Sequence, residues 1–272
     1  MQLFVWLLAV ILILIWFVLH SGHYTCEQKA MLYGVNHAHR GLHTPDKTVP
    51  ENSLPAFRAA VAAGYGIELD IQLSRDGEVV VFHDDTLPRV CGKPERVDDY
   101  TFKQLRSFRL CGTEEKIPLL TEVLAVVDGK VPLIIELKTG PRNKQLCTSA
   151  MEILCDYTGA YCIESFDPRI VRWFKKHEPQ VLRGQLSDAP KSFVGKPPLL
   201  AFVLGNLLTN ILARPQFVAY GPHKKPLLAR FSDLCGVMRV CWTVHPTDDI
   251  AAKEAENDAV IFEYYSPAPQ YK

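Results

Sequence analysis

Four short polar clusters lie at the ends of apolar, strand-like runs: His39-Arg40-Gly41, Glu68-Leu69-Asp70, His83-Asp84 and Glu136-Leu137-Lys138. A run such as Val131-Pro132-Leu133-Ile134-Ile135 has no folding reason to end in an acid and a base. Buried charge is costly unless it is paired or bound to a metal. Side chains alternate along a strand, so Glu68 and Asp70 share one face while Ile67, Leu69 and Ile71 share the other. Glu136 and Lys138 repeat the arrangement. Three carboxylates on a common inward face repel one another unless a cation sits among them, and an all-oxygen set suits Mg²⁺ or Ca²⁺ rather than zinc. For any one acid the competing reading is a structural ion pair with Arg40 or Lys138. His39 and His83 exchange protons near neutral pH and can serve as acid and base on opposite sides of a reacting group. Arg40 and Lys138 supply positive charge for an anion, and the planar fork of arginine suits phosphate. Together these residues favour phosphoryl-ester chemistry over glycoside or peptide hydrolysis.

The elements that must hold these side chains alternate along the chain. Strand-like runs cover Tyr33–Ala38, Gly66–Leu73, Leu133–Leu137, Ala160–Glu164, Val181–Gln185, Phe217–Tyr220, Val237–Val244 and Ala259–Phe262. Helix-like segments fall between most of them: Leu54–Ala63, Leu119–Val127, Lys144–Tyr157, Pro168–Lys176, Leu199–Leu212, Leu227–Leu234 and Thr247–Glu254. This predicts a parallel α/β barrel, the TIM (β/α)8 architecture, with the acids pointing inward at its C-terminal mouth. Asn52 or Ser53 can cap the first of these helices, and Pro55 suits its first turn. Asp76-Gly77 predicts a hairpin whose return strand, Glu78–Phe82, carries His83 back to the mouth. A small insertion follows the second strand, from about Asp84 to Ile117. Pro267 and Pro269 predict a short or missing last helix, with His23 to Leu32 covering part of the exposed barrel.

Outside the barrel, the uncharged apolar run Leu3–Leu19 has about the length of a bilayer span. It lacks the basic start of a signal peptide. The expectation is a single-pass N-terminal anchor over residues 1–22, with the barrel over 33–266; Lys29 and Arg40 after the run favour a cytoplasmic catalytic domain. Thirty acidic and thirty basic residues give zero net charge, so nothing points to nucleic acid, and no protein partner is predicted. The eight cysteines show no Cys-x-x-Cys spacing and read mostly as buried free thiols, a disulfide-bonded exported domain being the alternative. The apolar segment 197–212 reads as a helix packed on the strands, with a lipid-facing helix as the alternative.

The ordered series His39-Arg40-Gly41, Pro50-Glu51-Asn52-Ser53, Glu68-Leu69-Asp70, Asp76-Gly77, Val81-Phe82-His83-Asp84, Ile117-Pro118 and Glu136-Leu137-Lys138 resembles the glycerophosphodiester phosphodiesterase family. Beyond Lys138 the resemblance rests on Glu164-Ser165-Phe166, Gly184-Gln185-Leu186 and Trp242-Thr243-Val244. It implies a TIM barrel, His39 and His83 as the catalytic acid/base pair, and Glu68, Asp70 and Glu136 as ligands of one divalent cation, Mg²⁺ or Ca²⁺. It further implies that Arg40 and Lys138 hold the phosphate, with Trp242 lining the substrate pocket. The implied reaction releases sn-glycerol 3-phosphate and an alcohol, through attack of the neighbouring glycerol hydroxyl on phosphorus and hydrolysis of the cyclic phosphate. Lysophospholipase D activity and a catalytically inactive, membrane-tethered phosphodiester-binding barrel are the alternatives. Glu51 and Asn52 read equally well as loop and cap residues. Where many members carry Thr-Asp at the last strand, this chain has Phe262-Glu263, and no role follows for Glu263.

Overall fold

In the computed structural model, which describes residues 2–272, nine strands form one sheet. They are β1 (Val35–Ala38), β2 (Gly66–Leu73), β3 (Val79–Val81), β4 (Leu133–Leu137), β5 (Tyr161–Ser165), β6 (Arg183–Ser187), β7 (Phe217–Tyr220), β8 (Met238–Val244) and β9 (Ala259–Phe262). All but β3 run parallel, and β1 pairs with both β2 and β9, which closes an eight-stranded barrel. β3 turns back antiparallel on β2, as Asp76-Gly77 predicts; Gly77 takes the left-handed conformation this turn needs.

Alternation divides the core in two. Ile67, Leu69, Ile71, Leu133, Ile135 and Leu137 point outward and are sealed by helices, Phe57 and Ala60 of Leu54–Ala63 among them. Each fully buried side chain of this kind contributes about 1.5–3 kcal/mol. Ile134, Cys162, Phe217, Met238 and Ala259 point inward, and Leu32 plugs them with help from Tyr24 and Met31. The segment 23–32 thus covers one end of the barrel interior and leaves the other mouth for polar side chains. The insertion after β2 has its own apolar cluster, built on Val80, Phe82, Leu87, Val90, Val97, Leu105, Leu110 and Ile117.

Three expectations need correction. The strand expected at Val181–Gln185 lies two residues later. Its Gly184 pairs with Phe217, where a Cβ would sit 2.1 Å from the Phe217 ring, and the Gln185 amide finds the Ser165 and Phe166 carbonyls. Interior space and hydrogen bonding outweigh the apolarity of Val181-Leu182. The helix expected over Leu199–Leu212 is two short ones, Pro198–Gly205 and Asn210–Ala213, separated where Leu207 takes a left-handed conformation. Leu199, Leu200, Phe202 and Leu212 stay exposed rather than packed on strands.

The third correction concerns the anchor. The first helix is Gln2–Leu19, eighteen residues, about 27 Å at 1.5 Å per residue against a hydrocarbon core of about 30 Å. Its last turn is committed to the barrel: Leu19 is fully buried against Leu207, Val218, Tyr220, Ala229 and Val237. Among the described residues no helix is long and apolar enough to cross a membrane, so the single-pass anchor, and the orientation inferred from it, are not supported. Met1 lies outside the described residues. After Phe262 no helix follows; Gln270 bridges Val35, and Tyr265 and Tyr271 pack where a last helix would lie. All eight cysteines are free thiols.

Candidate active site

The barrel register sets the acids side by side. Asp70 of β2 pairs with Glu136 of β4, which pairs with Glu164 of β5, and Glu68 lies two residues before Asp70 on the same face. All four are buried. Oxygens of Glu68, Asp70 and Glu136 lie within 4.8 Å of one another. Burial pushes Glu68 well above the usual carboxylate range, and repulsion from Asp70, Glu164 and Glu136 pushes it further. Glu164 is raised by the same causes, burial first and then Glu136 and Asp70. Burial also raises Glu136, against the pull of Lys138.

The two cations answer only part of this charge. Lys138 Nζ lies 2.9 Å from Glu136 and 3.3 Å from Asp70, and Arg40 Nε lies 3.5 Å from Asp70. Asp70 is held low despite its burial because Lys138, His83 and Arg40 surround it. The ion pairs that compete with a metal reading therefore exist. Yet four carboxylates face two cations, and one oxygen of Glu164 is buried without a partner. An all-oxygen set with excess negative charge fits a hard divalent cation.

The loop after β1 is shaped to serve this cluster. Arg40 and Gly41 both take left-handed conformations, a turn that lets the Arg40 amide donate to Glu68 at 3.0 Å. Ser53 caps the helix Leu54–Ala63 by accepting from the Ala56 amide. Asn52 is thereby left to donate its side-chain amide to Asp70 at 2.9 Å, so it is more than a loop residue. Glu51 accepts from Arg40 at 2.7 Å and from both terminal nitrogens of Arg89 at 2.6 and 2.7 Å. Burial would raise Glu51, but the Arg89 hydrogen bond and the charges of Arg40 and Arg89 bring it to about 2.

The histidines are oriented by neighbouring acids. His83 Nδ1 lies 2.6 Å from Asp84 Oδ1. Asp84 is held by Arg89 of the insertion helix Pro88–Cys91. A carboxylate only accepts, so a neutral His83 carries its proton on Nδ1 and offers Nε2 as a lone pair. His39 is set between two acids, Nε2 4.0 Å from Glu68 and Nδ1 3.4 Å from Glu263. Burial holds its pKa low, partly opposed by Glu263.

His39, Arg40, Glu68, His83, Glu136 and Trp242 all line one cavity of about 230 Å³; Asp70 and Lys138 join them through the ion pairs above. Trp242 donates to the Ala219 carbonyl at 3.0 Å and meets Phe166 edge-on at 5.6 Å. The same two aromatics border a larger groove of about 860 Å³, walled by Phe193, Val194, Leu200 and Leu204. Sequence reasoning named Glu164 and Glu263 without giving either a role, and missed Arg89. Glu164 had a visible signal, an acid closing an apolar strand two residues after Cys162. Arg89 had none, because its partners lie 38 and 5 residues away in sequence.

Fold and mouth together define an α/β barrel whose mouth holds a buried carboxylate cluster flanked by two histidines. The chain belongs to the glycerophosphoryl diester phosphodiesterase family, which it matches over residues 39–265. It is 34% identical over 163 residues to a glycerophosphodiester phosphodiesterase of Caldanaerobacter subterraneus, covering 55% of this chain and 65% of that one. A Bacillus subtilis protein named as a glycerophosphodiester phosphodiesterase is 31% identical over 153 residues, covering 53% and 62%. The matches thus span just under two thirds of these relatives. An Oleispira antarctica phosphodiesterase, solved with the product sn-glycerol 3-phosphate, shares the fold at TM-score 0.69 and 22% identity, covering 87% of this chain and 95% of that one.

Proposed function

We propose that this chain hydrolyses glycerophosphodiesters to sn-glycerol 3-phosphate and an alcohol. One observation carries the reading: a buried carboxylate cluster with excess negative charge and two separately oriented histidines share a single cavity. Family membership supports it.

Glu68, Asp70 and Glu136 would hold one Mg²⁺ or Ca²⁺, with Glu164 beside them. When bound, such a cation draws negative charge from the phosphoryl oxygens. Arg40 and Lys138 would face the phosphate, Arg40 kept in place by Glu51 and Asp70 and Lys138 by Asp70 and Glu136. One histidine takes the proton of the neighbouring glycerol hydroxyl as that oxygen bonds to phosphorus. The other gives a proton to the alcohol oxygen as its bond to phosphorus breaks. Water then opens the cyclic phosphate with the two roles exchanged. His83, with Nδ1–H turned to Asp84, is equipped to accept at Nε2.

The apolar groove next to Phe166 and Trp242 favours a second reading of the same site, lysophospholipase D action on substrates that keep one acyl chain. The test is an assay of the full chain on glycerophosphocholine and lysophosphatidylcholine. The expected result is turnover of glycerophosphocholine, abolished by chelation and restored by Mg²⁺ or Ca²⁺. His39→Ala and His83→Ala should each lower it by about 10²–10⁴-fold. Turnover confined to lysophosphatidylcholine would select the second reading, and activity indifferent to chelators would refute the metal assignment.

A further inference from the structure

Beside the carboxylate cluster lies a second set of ligand atoms with a different chemistry. His39 Nδ1, His43 Nε2 and a Glu263 oxygen lie within 4.8 Å of one another. They come from the end of β1, the loop after it and the end of β9. The Glu263 oxygen Oε1 is 3.4 Å from His39 Nδ1 and 2.8 Å from His43 Nε2. Neither nitrogen is aligned with that oxygen for a hydrogen bond, and both are buried without any other partner. His43 as a whole is only 9% exposed, so water does not satisfy its nitrogen. Buried ring nitrogens whose sole neighbour is an off-axis carboxylate are poorly satisfied, and the three ligand atoms lie close enough together to share one ion. Bonds of about 2.0–2.1 Å to a tetrahedral zinc put neighbouring ligand atoms roughly 3.3 Å apart, within the span of these contacts. A fourth group is near: His245 Nδ1 lies 3.7 Å from the other Glu263 oxygen, at the end of β8.

We propose that His39, His43 and Glu263 form a second metal site, selective for Zn²⁺ and its borderline-soft neighbours, that arrests the enzyme when filled. Two imidazoles and one carboxylate suit Zn²⁺ or Co²⁺, whereas the oxygen cluster a few ångströms away suits Mg²⁺ or Ca²⁺. His39 belongs to both environments, Nε2 toward Glu68 and Nδ1 toward Glu263. A metal on Nδ1 leaves the neutral ring's proton on Nε2, so the ring can no longer take one up there. The binding claim stands on geometry alone. The arrest rests on the acid/base role proposed for His39.

The experiment titrates the full chain, saturated with Mg²⁺, with Co²⁺ and then with Zn²⁺. Expected are one equivalent of Co²⁺ with the intense visible absorption of four-coordinate cobalt, its displacement by Zn²⁺, and inhibition by Zn²⁺ that excess Mg²⁺ does not relieve. In His43→Gln both the cobalt spectrum and the zinc inhibition should weaken by about tenfold or more, since even groups behind a ligand are worth about 10–100-fold in affinity. No visible absorption, or the same spectrum in folded His43→Gln, overturns the site. Inhibition relieved by raising Mg²⁺ also overturns the proposal, because it puts Zn²⁺ among the carboxylates. If His43→Gln does not fold, Glu263→Gln is read by the same cobalt spectrum. A chain without phosphodiester turnover removes the proposed function, and the cobalt spectrum still decides this site.

Discussion

At the scale of single side chains, burial and charge act against each other, and the outcome differs from group to group. Asp70 stays ionised because Lys138, His83 and Arg40 surround it, while Glu68 and Glu164 lack enough compensation. His37 shows burial acting almost alone. It is completely enclosed in the barrel, both ring nitrogens lack partners, and desolvation lowers its pKa to about 4. The unfolded chain takes up a proton near pH 6.5, before the folded protein does, so this stability is complete above that pH and lost as pH falls toward about 4. The loss amounts to about 3 kcal/mol. Glu68, Glu136 and Glu164, raised by burial, act in the opposite sense, so the informative quantity is a difference between proteins. Urea unfolding near pH 7 and pH 4 should show the native chain losing about 3 kcal/mol more than His37→Gln. Equal losses would rule out a buried neutral His37.

Elements carry the next constraint, because strands set the register and small residues make it possible. Gly66 opens β2 beside β1, and a Cβ there would lie 2.4 Å from His37 Cδ2. Gly66→Ala should therefore cost about 1–3 kcal/mol by overpacking. Adding His37→Ala should recover part of that loss, as thermal or denaturant unfolding of the double variant would reveal; purely additive losses would mean the two do not press on each other. The strand and helix pattern was legible because period-two alternation and helix-start residues such as Ser53 are local signals. The break at Leu207 was not, since Gly205-Asn206 and Thr209-Asn210 interrupt the apolar run 197–212 only as a narrow polar stripe that a single helix also tolerates. The two-residue displacement of β6 was equally hidden. It depends on the Phe217 ring of β7 and on the Ser165 and Phe166 carbonyls at and just beyond the end of β5.

For the whole molecule, the barrel's two ends have different duties. Leu32, Tyr24 and Met31 close one end with apolar side chains, and the other collects the carboxylates and histidines. The N-terminal helix docks its final turn on the outer surface through Leu19. Leu19→Ala should leave a cavity among Leu207, Val218, Tyr220, Ala229 and Val237 and lower stability by about 2–5 kcal/mol in denaturant unfolding. A change below about 0.5 kcal/mol would show that this turn is not part of the folded core. Hydropathy alone could not anticipate the docking, because an apolar turn that meets a barrel reads the same as one that meets lipid.

The sequence by itself determined the barrel and which acidic and basic side chains gather at its mouth. Alternation forces Glu68, Asp70 and Glu136 to one face, and strand ends are where such charge escapes the core. Only the tertiary structure decided how these groups are held. The Asn52 hydrogen bond to Asp70 and the chain of contacts from Arg40 through Glu51, Arg89 and Asp84 to His83 join residues from separate elements. So does the meeting of His39, His43 and Glu263. The physical reason is that register and closure, set by packing around the whole barrel, determine which distant side chains share a point in space.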